Sequence, residues 1–354
     1  ARNMSGADFE SLVGYAVDGS AGGKVDGFAL MADVPTVCGI MALGARDYQT
    51  LRKGGSTVFV DFSMFLSQAV HLLQQDHDCE DIEIVVSFSH GEAETDSLPT
   101  GATPTTYGEY QSYLAEWFDD VTKTARMALG NPTYEPTYLV HQMGGVMNGA
   151  WSTIMQATID FADQRSNVHL TGPTTPYGFS TDRVHPPGQS QVLMGEWDFH
   201  AYKRVRAGLP ICLRAQDFER TGAVISVPHT SMNGSVEIDT TSNPNMTDAS
   251  GFDSSGSLCV YGVEVLIDGA AVPISSVTSS GLTTTITLAT DPGATTTEFV
   301  RFGLMENSSA TAAVPDLVSR NNIKSDWAGI PSIYVTDFVH EAWQLNEELE
   351  EASP

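Results

Sequence analysis

The chain has 354 residues, with 44 Asp or Glu against 17 Lys or Arg, which gives a formal net charge of −27 at pH 7. A surface this acidic repels nucleic acid and anionic lipid, so a protein that binds the phosphate backbone is excluded. Hydrophobic residues make up 41% of the chain, and the length allows two domains, or one large domain with an appendage. No apolar run is long enough to span a bilayer, so we expect no membrane insertion.

The cysteines indicate neither a zinc site nor a disulfide framework. Four are present, at Cys38, Cys79, Cys212 and Cys259, and no two of them have C-x-x-C spacing. We therefore interpret them as buried thiols.

The first part of the chain contains two apolar runs that lead into glycine, followed by an amphipathic segment. Residues 12–17 precede the sequence DGSAGG (18–23), so Ser20 stands either at a strand-to-turn corner or in a plain turn. Residues 37–43 precede Gly44, which fits a tight exit from a strand. In segment 59–75, apolar positions recur at helical spacing and predict a helix that covers a sheet.

Segment 83–96 reads EIVVSFSHGEAETD and predicts a buried strand that ends just before His90. Alternate residues of an extended segment share one face, so His90, Glu92 and Glu94 could together face a metal ion. Zinc sites usually contain more His or Cys, and calcium loops contain more oxygen ligands. We therefore expect no metal here and no cofactor elsewhere in the chain.

The stretch 171–205 places Asp182 and His185 three residues apart, in a loop bounded by prolines and glycine. From Gln189 onward the apolar spacing predicts a helix. A carboxylate so close to an imidazole can fix its tautomer and stabilise the imidazolium, which is what hydrolysis by an activated nucleophile requires. The alternative is that these are two common residues on a surface loop.

Buried strands alternate with helices from residue 37 to 206, which predicts a parallel sheet with helices on both faces. Ligands of such sheets bind beyond the carboxyl ends of the strands. Residues 215–315 are instead rich in Thr, Ser, Gly and Val, with short alternating runs separated by turn signals such as Asn233-Gly234. This pattern predicts a β-sandwich. The residues after His340 are acidic, and we expect them to fray.

Two blocks of the first part together resemble one family. The sequence F-S-H-G-E-A-x-x-D (88–96) after a buried strand resembles the Q-G-E-S-D or H-G-E-A-D block of SGNH hydrolases, in their acetylxylan and sialate O-acetylesterase-like branch. D-R-V-H (182–185) resembles the terminal D-x-x-H block of that family. The resemblance covers roughly residues 40–205, and 211–340 is similar to the sandwich appended to phage-associated and secreted members.

The resemblance implies an α/β fold with a flavodoxin-like three-layer SGNH hydrolase sheet and a C-terminal β-sandwich domain. The implied boundaries are 1–210 for the α/β domain, 211–340 for the sandwich and 341–354 for an acidic tail. The family's nucleophilic Ser lies in a G-D-S or G-Q-S-N block. N-M-S-G (3–6) resembles the end of that block, but Ala1 and Arg2 stand where its Ser belongs. We expect the nucleophile block upstream of Ala1, with Ser20 as the alternative within the chain.

The resemblance also implies the roles of individual residues. His185 is the expected base, Asp182 orients it, and the backbone N–H of Gly44 helps to hold the oxyanion. His90 replaces the family's usual Gln and lines the site, while Glu92 braces neighbouring loops.

The implied function is a carbohydrate O-acetyl esterase that acts on an acetylated polysaccharide, either outside the cell or on a virion surface such as a tail. Assembly into a homo-oligomer or a virion is left open. The rival hypothesis is a non-catalytic glycan-binding or structural virion protein that keeps the hydrolase fold without its nucleophile. A peptidase or lipase with Ser20 as nucleophile is a third reading of the sequence.

Overall fold

A computed structural model describes residues 37, 39, 47–76, 79, 81–94, 105–143, 153–174, 177, 188–230, 234–239, 258–303, 323–326, 329–333, 338–340, 344–345 and 347–351, with only the backbone at 92 and 339. In the first part, the helices are α1 (Tyr48–Leu51), α2 (Val58–Asp76), α3 (Tyr107–Leu129), α4 (Thr153–Asp163) and α5 (Gly188–Arg206). The strands between them are β1 (Val85–Ser89), β2 (Thr137–Gln142) and β3 (Val168–Pro173), and a short 3-10 helix follows β1 at Glu92–Glu94.

Strands β1, β2 and β3 form a parallel sheet in that order, with Ser89 opposite His141 and His141 opposite Gly172. Neighbouring residues of β2 belong to different cores, because successive side chains of a strand point to opposite faces. Val140 packs with α3 and α4, whereas Leu139 packs with α5. The sheet therefore has helices on both faces, and all three carboxyl ends lie at one edge.

Helix α3 is the longest described helix, and its two ends carry strong local signals. Thr106 accepts a hydrogen bond from the Glu109 backbone N–H, and the Glu109 side chain accepts one from the Thr106 backbone N–H, which is a capping box. The helix ends at Gly130, whose φ of 64° suits a residue without Cβ. The buried face of α3 packs on the sheet, and α2 packs against α3 around Leu66, Val70 and Ala125.

The second part is built from short strands, and all of its described sheets are antiparallel. The strands are β4 (Glu219–Thr221), β5 (Val224–Pro228), β6 (Val236–Ile238), β7 (Cys259–Val260), β8 (Val263–Ile267), β9 (Ala270–Ala271), β10 (Ile274–Ser280), β11 (Thr283–Leu288), β12 (Glu298–Phe302), β13 (Ile323–Ser325), β14 (Ile330–Pro331), β15 (Val339–His340) and β16 (Glu348–Glu350). One sheet has the order β10-β11-β5-β4 and another the order β16-β12-β8-β7, with β9 paired to β8.

These two antiparallel sheets contribute their inward side chains to one hydrophobic core. Alternation is clear in β11, where Thr284, Ile286 and Leu288 are buried and the residues between them are partly exposed. Arg220 of the first sheet and Glu298 of the second form a hydrogen-bonded ion pair at 2.6 Å. An apolar core and a cross-sheet ion pair thus join the two sheets.

The acidic segment after residue 340 is part of the fold where it is described, so the expectation that it frays is wrong for 344–345 and 347–350. Strand β16 pairs with β12, and Leu345 and Glu347 are buried. The Glu348 backbone N–H also donates to Gln156 of α4 at 2.9 Å. Charge alone suggested a solvated tail, but strand pairing and burial of these side chains outweigh it.

Several predicted elements are confirmed. The amphipathic helix predicted over 59–75 is α2, and the alternating runs of the second part form β5, β8, β11 and β12. None of the helices within the described ranges is long and apolar enough to cross a membrane.

Candidate functional site

Four of the predicted site residues lie outside the described part of the chain: Ser20, Gly44, Asp182 and His185. The pairing of Asp182 with His185 and the role of Gly44 therefore stay predictions. The loop that carries Asp182 and His185 leaves the sheet at the end of β3 and returns at Gly188, the first residue of α5. Its attachment points thus connect it to the carboxyl edge of the sheet.

His90 directly follows β1 at this edge. Its ring is nearly parallel to that of Tyr110 of α3, with an interplanar angle of 9° and 6.2 Å between ring centres. The Tyr110 hydroxyl donates to the His90 carbonyl oxygen at 3.0 Å, and its oxygen lies 3.4 Å from His90 Nδ1. The next residue, Gly91, has a φ of 136°, and a Cβ there would lie 2.8 Å from Met143 Sδ. Backbone conformation and close packing together fix how the chain leaves β1.

Glu94 braces the loops beyond β1, which is the role predicted for Glu92. Its buried carboxylate accepts hydrogen bonds from the Tyr48 backbone N–H at 2.6 Å and from the Thr105 hydroxyl. The first of these bonds ties α1 to the loop after β1. Among the described residues, no cluster of three or more His, Cys, Asp or Glu side chains could hold a metal ion. The role predicted for the Glu92 side chain stays a prediction.

A polar cluster that the sequence analysis missed links β1, β2 and α5, and two of its three residues, His141 and Asp198, are buried. Asp198 accepts from Ser87 Oγ at 2.5 Å, and its second oxygen lies 2.7 Å from His141 Nε2. Asp198 and His141 are each only 1% exposed. His141 stands near the carboxyl end of β2, as His90 does after β1, so the same signal of a polar residue at a strand exit could have found it. No local pattern links either residue to Asp198.

The opposite side of α5 carries a second buried carboxylate that the sequence analysis did not single out. Glu196 accepts from Ser332 Oγ at 2.6 Å and from the Ile333 backbone N–H at 3.0 Å, and it lies 3.0 Å from His340 Nε2. Burial lowers the pKa of His340, although Glu196 opposes that shift. Burial, together with His340, also lowers the pKa of His200 to about 4. These contacts attach Ser332, Ile333 and His340 to α5.

The comparisons with known proteins identify a fold. No family model matches the sequence, and no curated protein matches it. A carbohydrate acetylesterase from Xanthomonas citri has a similar structure, with a TM-score of 0.51 and 14% sequence identity over 87% of this chain. The chain spans 65% of the length of that protein. A protein from Arabidopsis thaliana is 15% identical over 56% of this chain and 67% of its own, with a TM-score of 0.33.

The class of protein follows from the first of these structures together with the sheet described above. The chain is a mixed α/β protein with an esterase-like fold. An identity of 14% establishes the fold alone, so the activity belongs to the proposal that follows.

Proposed function

We propose that this chain is a carbohydrate O-acetyl esterase that removes acetyl groups from a polysaccharide. The observation that carries the proposal is topological. The loop containing Asp182 and His185 starts at the carboxyl end of β3, and His90 lies at the carboxyl end of β1 in the same sheet. Open α/β sheets bind their ligands at this edge. The structural similarity to a carbohydrate acetylesterase supports the same proposal.

The proposed chemistry is acyl transfer through a serine. His185 takes the hydroxyl proton while the serine oxygen attacks the acetyl carbonyl, and Asp182 holds the imidazole in the required tautomer. His185 then returns the proton to the departing sugar oxygen. A water molecule, activated by the same imidazole, releases acetate and restores the serine. Ser20 is the candidate nucleophile within this chain, and the Gly44 N–H is the candidate donor to the oxyanion.

The remaining parts of the proposal concern architecture and setting. We assign the parallel sheet to the three-layer SGNH fold, and the two antiparallel sheets to an accessory β-sandwich. The shared core of those two sheets supports the second assignment. An extracellular or virion-surface location is consistent with a net charge of −27, as is a solvated polysaccharide partner.

The test is release of acetate from acetylated xylan and from 4-nitrophenyl acetate by the purified chain. We expect His185→Ala to lower kcat/KM on the order of 10³-fold, because an acyl transfer without its base cannot activate a hydroxyl. Asp182→Asn should lower kcat/KM by a smaller factor, because the imidazole that acts as the base remains. The matched control is His71→Ala, which removes an exposed histidine on α2 and should change neither rate.

Ser20→Ala decides whether that serine is the nucleophile. Loss of activity assigns the role to Ser20, whereas unchanged activity moves it to another serine. A folded chain that binds acetylated xylan and releases no acetate would contradict the esterase and favour the glycan-binding alternative.

A further inference from the structure

An arginine stands between the two parts of the molecule, at the end of α4. Arg214 lies in the connection between α5 and β4, and its Nη1 donates to Asp163 Oδ1 of α4 at 2.6 Å. Its Nη2 lies 3.8 Å from Oε2 of Glu347, which precedes β16, and this exceeds a hydrogen-bond distance. The buried Nε of Arg214 has no hydrogen-bond partner within the described part of the chain. The guanidinium therefore has one acidic partner in contact and a second about 1 Å too far away.

The first partner, Asp163, is in an electrostatically unfavourable position. It is the last residue of α4, and the last turn of this helix has no basic residue. The carbonyl end of a helix carries partial negative charge, so a carboxylate there needs a cation nearby. Arg165, the nearest arginine along the chain, pairs instead with Asp119 of α3 at 2.8 Å. Arg214 is thus the cation that compensates the end of α4.

The second partner, Glu347, has a side chain that is only 2% exposed. Its Oε1 accepts from the Ala215 backbone N–H at 2.5 Å and from the Gln344 side chain. Burial raises the pKa of Glu347 to about 7. Its proton is therefore lost near neutral pH, and a negative charge then appears beside Arg214 Nη2.

Other charged or titratable groups approach Glu347 from the elements around it. Arg214 and Asp163 are the charged ones. Burial raises the pKa of the Cys212 thiol to about 12, and it lowers the pKa of His229, which is linked to Glu347 through one glutamine side chain, to about 4. Neither Cys212 nor His229 therefore changes its charge near neutral pH, whereas Glu347 does.

We infer that Arg214 is a pH-dependent latch between the two parts of the molecule. While Glu347 is protonated, Arg214 holds the end of α4 through Asp163, and when Glu347 ionises, Arg214 moves onto it. A shift of about 1 Å closes the gap, because charge-assisted N–H···O bonds are about 2.8 Å long. An arginine keeps its charge throughout, and the unpaired Nε is a further donor for the new carboxylate.

The difference in exposure decides which carboxylate Arg214 prefers once both are charged. The side chain of Asp163 is 51% exposed, so solvent screens its attraction for the guanidinium. The buried carboxylate of Glu347 is screened less and attracts Arg214 more strongly. The last turn of α4 then loses its cation and becomes easier to open. This inference concerns control of the fold by pH, and it does not depend on the proposed esterase activity.

Amide hydrogen exchange on the full chain at pH 5.5 and 8.5 tests the latch. Protection factors remove the intrinsic dependence of exchange on pH, so a change in them reports local opening. We expect the protection factors of residues 160–163 to fall about 3-fold from the lower to the higher pH, because the end of α4 loses its cation. The last turn of α3 (residues 126–129) is the reference and should change less, because Arg214 does not contact it.

Variants assign the effect to the latch. Glu347→Gln keeps an acceptor for the Ala215 N–H and cannot ionise, so the effect of pH on residues 160–163 should disappear. Arg214→Gln should give low protection there at both pH values. The matched control is Arg52→Gln, which removes an arginine from an exposed ion pair and should keep the wild-type effect.

A double-mutant cycle gives a second measurement. The coupling between Asp163→Asn and Arg214→Gln should correspond to a factor of about 3 in the unfolding equilibrium constant at pH 5.5, and it should approach 1 at pH 8.5. The coupling between Glu347→Gln and Arg214→Gln should change in the opposite direction.

Three outcomes would overturn the latch: wild-type protection that does not depend on pH, a pH effect that survives in Glu347→Gln, or couplings with the same pH trend for both pairs. The wild-type measurement needs no variant, so the first outcome can be observed even if Arg214→Gln does not fold. None of these outcomes bears on release of acetate, which tests the esterase proposal separately.

Discussion

Each of the two parts of the molecule buries a carboxylate, and the two carboxylates differ in how their oxygens are hydrogen-bonded. In the parallel-sheet part, each oxygen of Asp198 has its own partner, Ser87 at 2.5 Å or His141 at 2.7 Å. In the antiparallel part, both hydrogen bonds of Glu347 go to one oxygen, from the Ala215 N–H and from the Gln344 side chain. The Arg214 guanidinium lies 3.8 Å from the other oxygen.

The difference shows in how Glu347 titrates. Burial raises the pKa of Glu347 to about 7, and the nearby Arg214 only partly opposes this. Arg214 is also engaged by Asp163 of α4 at 2.6 Å, so its charge is shared between two carboxylates. Full burial without a close cation therefore leaves a carboxyl group that ionises near neutral pH. Each oxygen of Asp198 thus contacts one neighbouring strand, and the links that Glu347 makes depend on pH.

The largest effect is expected from Asp198→Ala. This change removes the carboxylate that contacts the buried Nε2 of His141 and the hydroxyl of Ser87, and so the polar links from α5 to β1 and β2. We expect the free energy of unfolding to fall by about 3–5 kcal/mol, measured by urea denaturation. The control is Asp119→Ala, which removes an exposed partner of Arg165 and should cost less than about 1 kcal/mol. Equal losses in the two variants would show that the Asp198 cluster is not a structural link.

Glu347→Gln tests the carboxylate of the other part through pH. Between about pH 4.5 and 7 the folded chain keeps a proton on Glu347 that the unfolded chain releases, so this group's contribution to stability is lost as pH rises through 7. The loss amounts to about 3 kcal/mol at most. We expect the stability difference between wild type and variant to change by most of that amount between pH 5 and 8.5.

The wild type must be compared with the variant because His229 changes the stability of the fold with pH in the opposite direction to Glu347. Burial lowers the pKa of His229 to about 4, so its contribution to stability rises with pH. Subtracting the pH profile of Glu347→Gln from that of the wild type removes the His229 contribution. A flat difference between the two profiles would contradict the raised pKa of Glu347.

A smaller effect is expected from the capping box, a feature that does not depend on long-range contacts. Thr106→Ala removes the side chain that accepts from the Glu109 N–H at the start of α3. We expect a loss of about 1 kcal/mol in urea denaturation. Ser112→Ala, on the same helix, removes only a bond to the Gly108 carbonyl and is the control. A loss as large as that of Asp198→Ala would mean that α3 depends on its cap more than on its packing.

The smallest effect is expected from Asp163→Asn. Asp163 raises the pKa of Glu347, so its neutralisation should bring that pKa closer to its ordinary value. Asp163 is about half exposed, so solvent screens the change to well under 1 kcal/mol. The stability difference between chains with and without Glu347→Gln is measured against pH, this time in chains that also carry Asp163→Asn. Its midpoint should move to lower pH. A midpoint that moves upward would contradict competition for Arg214.

Local patterns predicted much of the fold. The helix over 59–75 and the strands β5, β8, β11 and β12 were predicted because hydrophobic periodicity is a property of neighbouring residues. The end of β1 just before His90 was predicted in the same way. The tail was mispredicted because composition reports charge, whereas β16 is held by pairing with β12.

Local sequence patterns predicted only part of the candidate site. The D-x-x-H spacing is local and drew attention to Asp182 and His185, whose pairing is still a prediction. By contrast, Ser87 and His141 lie 111 and 57 positions from Asp198, and no periodicity reports a contact over that distance. The role of the Glu92 side chain stays a prediction, and the sequence analysis did not assign Glu94 its contact with the Tyr48 N–H, because that contact depends on how the turn after β1 packs against α1. Tertiary contacts of this kind cannot be inferred from one sequence.

Strand β16 also has a consequence for synthesis of the chain. It pairs with β12, and Glu348 meets Arg301 from 47 positions further along the chain. Until the ribosome has released residues 348–350, one edge of β12 is an open template for another nascent chain. Once in place, β16 becomes the outermost of the described strands of its sheet and exposes Glu350 there. The glutamates that suggest a loose tail therefore serve as a charged border that discourages edge-to-edge association.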